Sequence, residues 1–278
     1  MTDAPFLPRY ALVTAPSAKP SRLLFVLHGM LGQGGNFRGI ARSLAAACPD
    51  WGFVLVDLRG HGQSLDAPPP HTVDAAAEDL VRLEKEFETP VHGVLGHSFG
   101  GKVALAYAQK RRHLLTHLFV LDSTPSARPD GMKTVEAAHV IDMLESFPWP
   151  LPSRERFFEL CGERGLSKPT TDWLAMNVRR DGDLFTFKLS FDTLRSLLAD
   201  YFLIDLWSVL EDRDPSRQTH VVIGGLSDTV SAADQERLDV LAKTHKTLYK
   251  HVLAASGHWV HVDDPEGLLA IVAGSLSS

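Results

Sequence analysis

The chain has 278 residues, 44% hydrophobic and 22% charged, with a mean hydropathy of −0.04, the profile of a globular protein long enough to bury a full core without staples. Its 28 basic and 34 acidic residues leave a net charge of −6 with no block of like charge, which argues against a nucleic-acid partner. Its two cysteines, Cys48 and Cys161, lack CxxC spacing, which excludes a disulfide framework and a Cys-rich zinc site.

The opening MTDAPFLPRY has neither the basic nor the apolar region of a secretory signal. No apolar run approaches the ~18 residues that span a bilayer. A cytoplasmic, reducing location is therefore expected, with no membrane span. From Leu23 onward short apolar runs alternate with amphipathic stretches. Strands are predicted over Leu23–Leu27, Phe53–Val56, Val91–Leu95 and Leu118–Leu121, then over Thr219–Ile223 and Leu248–Leu253. These runs lack period-2 alternation, as strands buried on both faces of a parallel sheet do. Helices are predicted between them: Asn36–Ala47; Thr72–Phe87, with Ala76, Leu80, Leu83 and Phe87 on one face; Gly100–Gln109; and Ser231–Ala242. Ser231-Ala-Ala-Asp234 reads as a capping box with Asp in place of Glu. Asp264-Pro265 supplies an N-cap and a first-turn proline for a last helix. Alternating strands and helices predict an α/β, doubly wound sheet.

The alternation breaks between Ser123 and Gln218. That stretch has no convincing strand, several helical patterns, and many large aromatics, among them Phe147, Trp149, Phe157, Trp173, Tyr201 and Trp207. It leaves the sheet where α/β folds bind ligands. The expected organisation is a core of residues 1–122 and 219–278 with residues 123–218 inserted as a helical lid; a subdomain with its own small core is the alternative.

Gly96-His97-Ser98-Phe99-Gly100 fits G-x-S-x-G between a strand and a helix. The small residues let the backbone bend sharply. The hydroxyl then stands at a helix N-terminus, where the dipole favours developing negative charge. Gly96 to Lys102 also matches most of a phosphate-binding loop, but Val103 occupies the position where a hydroxyl would ligate Mg²⁺. Lys102 is then a surface or structural residue. A nucleophilic serine needs a base, and the order that accompanies this elbow is Ser, acid, His. His258, in Ser256-Gly257-His258-Trp259 after the last strand, is the candidate. His261 three residues on lacks a third ligand for a metal pair, and no metal or organic cofactor is implied. His113 and His117, spaced i, i+4, read as a solvated helix end, and His97 as the variable position of the elbow. Two aspartates qualify as the acid that orients the imidazole: Asp122, ending the strand after the elbow helix, and Asp228, ending the next. Two backbone N–H groups must hold a developing oxyanion. Phe99 supplies one, and Met30, in His28-Gly29-Met30-Leu31-Gly32, supplies the other. His28 reads as a brace for that loop, and Asp57-Leu-Arg-Gly-His-Gly-Gln-Ser64 as loop scaffold.

HGMLG, DLRGHGQS, GHSFGGK and SGHWVH, in that order, resemble the α/β-hydrolase superfamily. GHSFGGK with its lysine, VLDSTP, and the stretch Met176-Asn177-Val178-Arg179-Arg180-Asp181-Gly182 are similar to the YbfF-like group of small esterases. The resemblance implies an α/β-hydrolase fold with a lid and a small-molecule ester substrate. It matches Ser98 and His258 to nucleophile and base and implies Asp122 as the acid, while general fold logic favours Asp228. Thioester or carbon–carbon bond cleavage by the same residues, or a ligand-binding protein of the same fold, are the alternative functions.

Overall fold

In a computed structural model, residues 5–131 and 136–277 are described; residues 1–4 of the opening stretch, 132–135 of the insertion and the last residue lie outside them. The elements form a seven-stranded sheet: β1 (Tyr10–Val13), β2 (Arg22–Leu27), β3 (Trp51–Val56), β4 (Val91–His97), β5 (His117–Leu121), β8 (Gln218–Gly224) and β9 (Leu248–Leu253). Between β5 and β8 lies a separate two-stranded hairpin, β6 (Val178–Asp181) with β7 (Leu184–Phe187). The spatial order of the sheet is β1-β3-β2-β4-β5-β8-β9. All its pairings are parallel except β1 with β3, where Tyr10 faces Val56 and Val13 faces Phe53.

The six predicted parallel strands are all present. For the inner strands the continuous apolar runs are explained by burial on both faces, β3 and β5 being buried at every position; the last strand, β9, departs from that expectation, since it lies at the sheet edge and is buried only at its two ends. Helices α1 (Arg38–Ala47) and α11 (Pro265–Leu276) pack together over one face of the sheet. Helices α2 (Val73–Leu83), α3 (Phe99–Lys110) and α9 (Ala232–Thr244) cover the other. Thr72 caps α2 by accepting the Ala75 N–H at 3.1 Å, and Asp264 caps α11 by accepting the Gly267 N–H at 2.8 Å, with Pro265 in the first turn as expected. A short helix α10 (Val260–Asp263) precedes α11.

Four local expectations need correction. Ser231 caps α9 through the Asp234 N–H, but Asp234 does not close a capping box. Its carboxylate instead accepts from the Thr124 and Ser126 hydroxyls at 2.7 and 2.6 Å, tying α9 to the segment after β5. His117 is not at a helix end but buried within β5. The short edge strand β1 has no counterpart in the predicted elements. The region between β5 and β8 is not purely helical. It holds α4 (Glu136–Glu145), α5 (Arg154–Glu163), α6 (Lys168–Leu174), the β6–β7 hairpin, α7 (Phe191–Leu203) and α8 (Trp207–Glu211). Most of its aromatics pack on one another: Trp149 contacts Phe147, Phe157 and Phe187, and Phe187 stacks on Phe191 at 5.3 Å.

Candidate active site

The bend between β4 and α3 is built as the glycine spacing demands. Ser98 has φ 53° and ψ −117°, a strained conformation for a residue with a side chain. Its N–H donates to the Leu121 carbonyl at 2.9 Å. A Cβ on Gly96 would lie 2.0 Å from the Gly100 carbonyl oxygen, and one on Gly100 would lie 2.5 Å from the His28 carbonyl oxygen. Only hydrogen at both positions lets the turn close and lets the loop after β2 approach it.

Ser98 and His258 line the same cavity of about 410 Å³. Asp122, at the end of β5 with φ 41°, is fully buried. Its Oδ2 lies 2.6 Å from His258 Nδ1, the geometry of a donated Nδ1–H. Its Oδ1 accepts the Gly224 N–H at 3.0 Å, and Oδ2 also accepts the Ser227 hydroxyl at 2.6 Å. Thr229 Oγ1 is 3.0 Å from the same imidazole nitrogen. The carboxylate therefore orients His258 with Nε2 as the free, basic nitrogen. Asp228, the other candidate, lies at the cavity rim with no hydrogen bond to His258. The loop after β8 thus delivers the Ser227 and Thr229 hydroxyls to the Asp122–His258 pair, rather than a carboxylate. No hydrogen bond joins His258 Nε2 to the Ser98 hydroxyl in this arrangement; its ring nitrogens bond through Nδ1.

The loop after β2 runs beside the serine. A Cβ on Gly29 would stand 3.3 Å from Ser98 Cβ. Met30 lies in this loop and Phe99 is the first residue of α3, and neither N–H has an acceptor among the described residues. Two buried histidines hold the loop. His28 donates from Nδ1 to the Gly29 carbonyl at 2.8 Å and accepts the Leu58 N–H on Nε2 at 3.0 Å. His61 donates to the Arg59 carbonyl and accepts the Leu31 N–H at 3.1 Å. Burial pushes His28 down to about 4 and, with His28 beside it, His61 down to about 3; each ring stays neutral and keeps one accepting nitrogen. Asp57 accepts the Gly34 and Gln63 N–H groups, and Arg59 forms a buried ion pair with Asp79 at 2.7 Å. The DLRGHGQS turn is therefore scaffold beneath the loop.

Three side chains have roles that the sequence did not reveal. His97 donates from Nε2 to the His258 carbonyl at 2.7 Å, and burial followed by the neighbouring His258 and His261 rings holds it well below the usual histidine value. It pins the loop that carries His258. Lys102 is fully buried, and its ammonium donates to the carbonyls of Ser126, Tyr201 and Ile204 at 2.8, 2.5 and 2.8 Å. It also sits over the Tyr201 ring, and desolvation lowers it to about 8. It points into the fold, locking α3 to both ends of the inserted region, rather than toward a phosphate. Asn177 reaches from the insertion to the Leu31 carbonyl at 2.7 Å. Gly29 and the GHSFGGK pattern signal their neighbourhood in sequence, but nothing local marks these long-range partners.

The insertion contributes Ala137, Val140, Trp173, Leu198, Tyr201 and Phe202 to the cavity wall. Trp173 meets Trp259, next to His258, edge-on at 4.5 Å. Buried His261 stacks on Phe37 at 4.2 Å, and desolvation pushes it down to about 4. Among the described residues no group of three or more His, Cys, Asp or Glu side chains is arranged to hold a metal ion.

A parallel sheet whose fourth strand ends in a strained serine, with a histidine returning from the last strand, defines an α/β hydrolase. The chain belongs to the alpha/beta hydrolase family, whose sequence model matches residues 23–271. It is 25% identical over 274 residues to esterase YbfF of Escherichia coli (strain K12), covering 93% of this chain and 94% of that protein. It is 24% identical over 275 residues to the sn-1-specific diacylglycerol lipase ABHD11 of Mus musculus, covering 96% and 84%. Among solved structures, a marine microorganism esterase superposes with a TM-score of 0.79 at 20% identity over 97% of this chain and 99% of that one. E-2-(acetamidomethylene)succinate hydrolase superposes with a TM-score of 0.74 at 19% identity, covering 98% and 100%. The structural likenesses speak for the fold; the family and the esterase- and lipase-named relatives make hydrolysis the broad activity. No helix among the described residues is long and apolar enough to cross a membrane.

Proposed function

We propose that the protein is a serine esterase that cleaves small carboxylic esters through an acyl-enzyme, with Ser98 as nucleophile, His258 as base and Asp122 as acid. The observation that carries this reading is the 2.6 Å bond from His258 to buried Asp122 in a cavity shared with Ser98 at its strained bend. On substrate binding, His258 Nε2 takes the hydroxyl proton as Ser98 Oγ attacks the ester carbonyl. Asp122 keeps the imidazole in the required tautomer and offsets the charge of the imidazolium. The carbonyl oxygen becomes an oxyanion held by the N–H groups of Met30 and Phe99, a donor pair of which each member is worth ~3 kcal/mol of barrier. Collapse expels the alcohol, which takes the proton from His258. Water, deprotonated by His258, then attacks the acyl-enzyme; the acid leaves and the proton returns to Ser98.

In the same reading residues 123–218 act as a lid, over a core of residues 1–122 and 219–278. Trp173, Tyr201 and Phe202 face the cavity and suit an apolar acyl or alcohol group, while Phe147, Trp149, Phe157 and Phe187 pack on one another within a hydrophobic cluster continuous with the sheet. Two buried free cysteines suit a cytoplasmic, reducing setting. The test is hydrolysis of p-nitrophenyl esters of increasing acyl length by wild type and Ser98→Ala, beside an acyl-CoA thioester and a ring-cleavage dione. Ester turnover that vanishes in Ser98→Ala is expected. Turnover confined to the thioester or the dione would replace the ester reading with one of those chemistries on the same serine.

A further inference from the structure

The segment Gly29–Gly32 is a tight turn: the Gly32 N–H donates to the Gly29 carbonyl at 3.1 Å. The His28 imidazole donates to the same carbonyl at 2.8 Å. Because the Gly29–Met30 peptide is trans, fixing its carbonyl toward His28 and Gly32 turns the Met30 N–H the opposite way. The turn requires the next residue, Leu31, to adopt φ 64°, a conformation that suits glycine and strains a leucine. Leu31 is held there from both sides. Its N–H donates to His61 Nε2 at 3.1 Å, and its carbonyl accepts from Asn177 Nδ2 at 2.7 Å.

Asn177 ends a single 3₁₀ turn, Ala175–Asn177, just before β6, and is 1% exposed. A carbonyl only accepts, so the amide nitrogen is the atom that faces Leu31. The amide oxygen is left buried without a partner, which costs folding free energy. A residue kept for packing alone has no reason to carry an unmet polar atom into the interior. One inserted side chain thus makes a single strong bond, to the strained residue beside the candidate oxyanion donor.

We propose that Asn177 is a positioning residue: by holding the Leu31 carbonyl it keeps the Gly29–Gly32 turn in the shape that aims the Met30 N–H at the reacting carbonyl. Without that bond Leu31 relaxes toward negative φ and Met30 turns from the cavity. The inserted segment is then part of the machinery that stabilises the oxyanion, in addition to walling the cavity. This rests on the esterase reading above.

The test compares wild type with Asn177→Leu, which keeps the branching at Cγ with greater bulk and removes the donor, and Asn177→Ser, which is smaller and less demanding of the core. Three quantities are read on p-nitrophenyl butyrate: kcat, KM, and the Ki of a trifluoromethyl ketone analogue, whose serine adduct carries an oxyanion. The expected result is a fall in kcat of about tenfold to a hundredfold with KM unchanged and Ki raised by the same factor. A merely structural role would lower the thermal midpoint without this matched loss in kcat and Ki. An active wild type whose folded variants keep both kcat and Ki overturns the inference and leaves the esterase reading standing. A wild type that hydrolyses no ester overturns both.

Discussion

Replacing Asp122 by asparagine tests the geometry at its most sensitive point. The carboxylate Oδ1 accepts a backbone N–H from Gly224, which cannot move, and Oδ2 accepts from His258 Nδ1 and Ser227. An amide has one oxygen. Gly224 keeps that oxygen at the Oδ1 position, so the NH₂ group lands where Oδ2 was, facing the imidazole. His258 then accepts on Nδ1 and carries its proton on Nε2, and it can no longer take the proton from Ser98. A wrong tautomer of this kind lowers turnover by ~10⁴, equivalent to about 5 kcal/mol of barrier. The Asp122→Asn variant should remain folded, with a stability loss of about 1–3 kcal/mol from the mismatched buried donors. The assay is steady-state hydrolysis of p-nitrophenyl butyrate, with urea unfolding as the stability control. Asp228→Asn, altering a side chain with no bond to His258, should keep turnover within about twofold, as changes away from the chemistry usually do. A folded Asp122→Asn variant within tenfold of wild type, or a larger loss in Asp228→Asn, would refute the assignment.

Acid should destabilise the fold early. His28, His61 and His261 are held at about 4, 3 and 4 by burial, while in the unfolded chain they titrate near 6.5. Below about pH 6.5 the unfolded state binds protons that the folded state refuses, so stability is complete above that pH and is lost as pH falls toward 4. Each ring contributes about 1.4 kcal/mol per pH unit, which urea midpoints at pH 7, 6 and 5 should reveal; identical midpoints would contradict the neutral-histidine scaffold. Lys102→Met should cost about 3 kcal/mol by leaving three carbonyls without their donor, and a urea-unfolding loss below about 1 kcal/mol would show that they find other partners.

The inner parallel strands were legible because burial on both faces writes itself as continuous apolar runs. The elbow was legible because its backbone demands glycine at fixed spacing, and His258 because Gly257 and the following cap mark its turn. The hairpin and β1 were not: β1 alternates between exposed and half-buried positions, and β6 is largely solvent-exposed, so neither carries a strong hydrophobic period. The acid could not be chosen from sequence because β5 and β8 are adjacent strands ending at the same edge. Which carboxylate lies under the ring depends on tertiary register, and here the neighbours of Asp228, Ser227 and Thr229, are the ones that bond to the Asp122–His258 pair. The departure from a phosphate loop was legible at Val103, but Lys102 was not legible as a buried clamp, since its three acceptors are backbone carbonyls from as far away as Ile204. Asn177 likewise acts across 146 positions.

The central claim is that one serine does the chemistry. Treatment with a fluorophosphonate followed by peptide mass spectrometry measures it directly. The account predicts a single stoichiometric adduct on Ser98, with parallel loss of ester hydrolysis, and no labelling of Ser98→Ala. Label on a different residue, or undiminished hydrolysis once Ser98 is blocked, would contradict it.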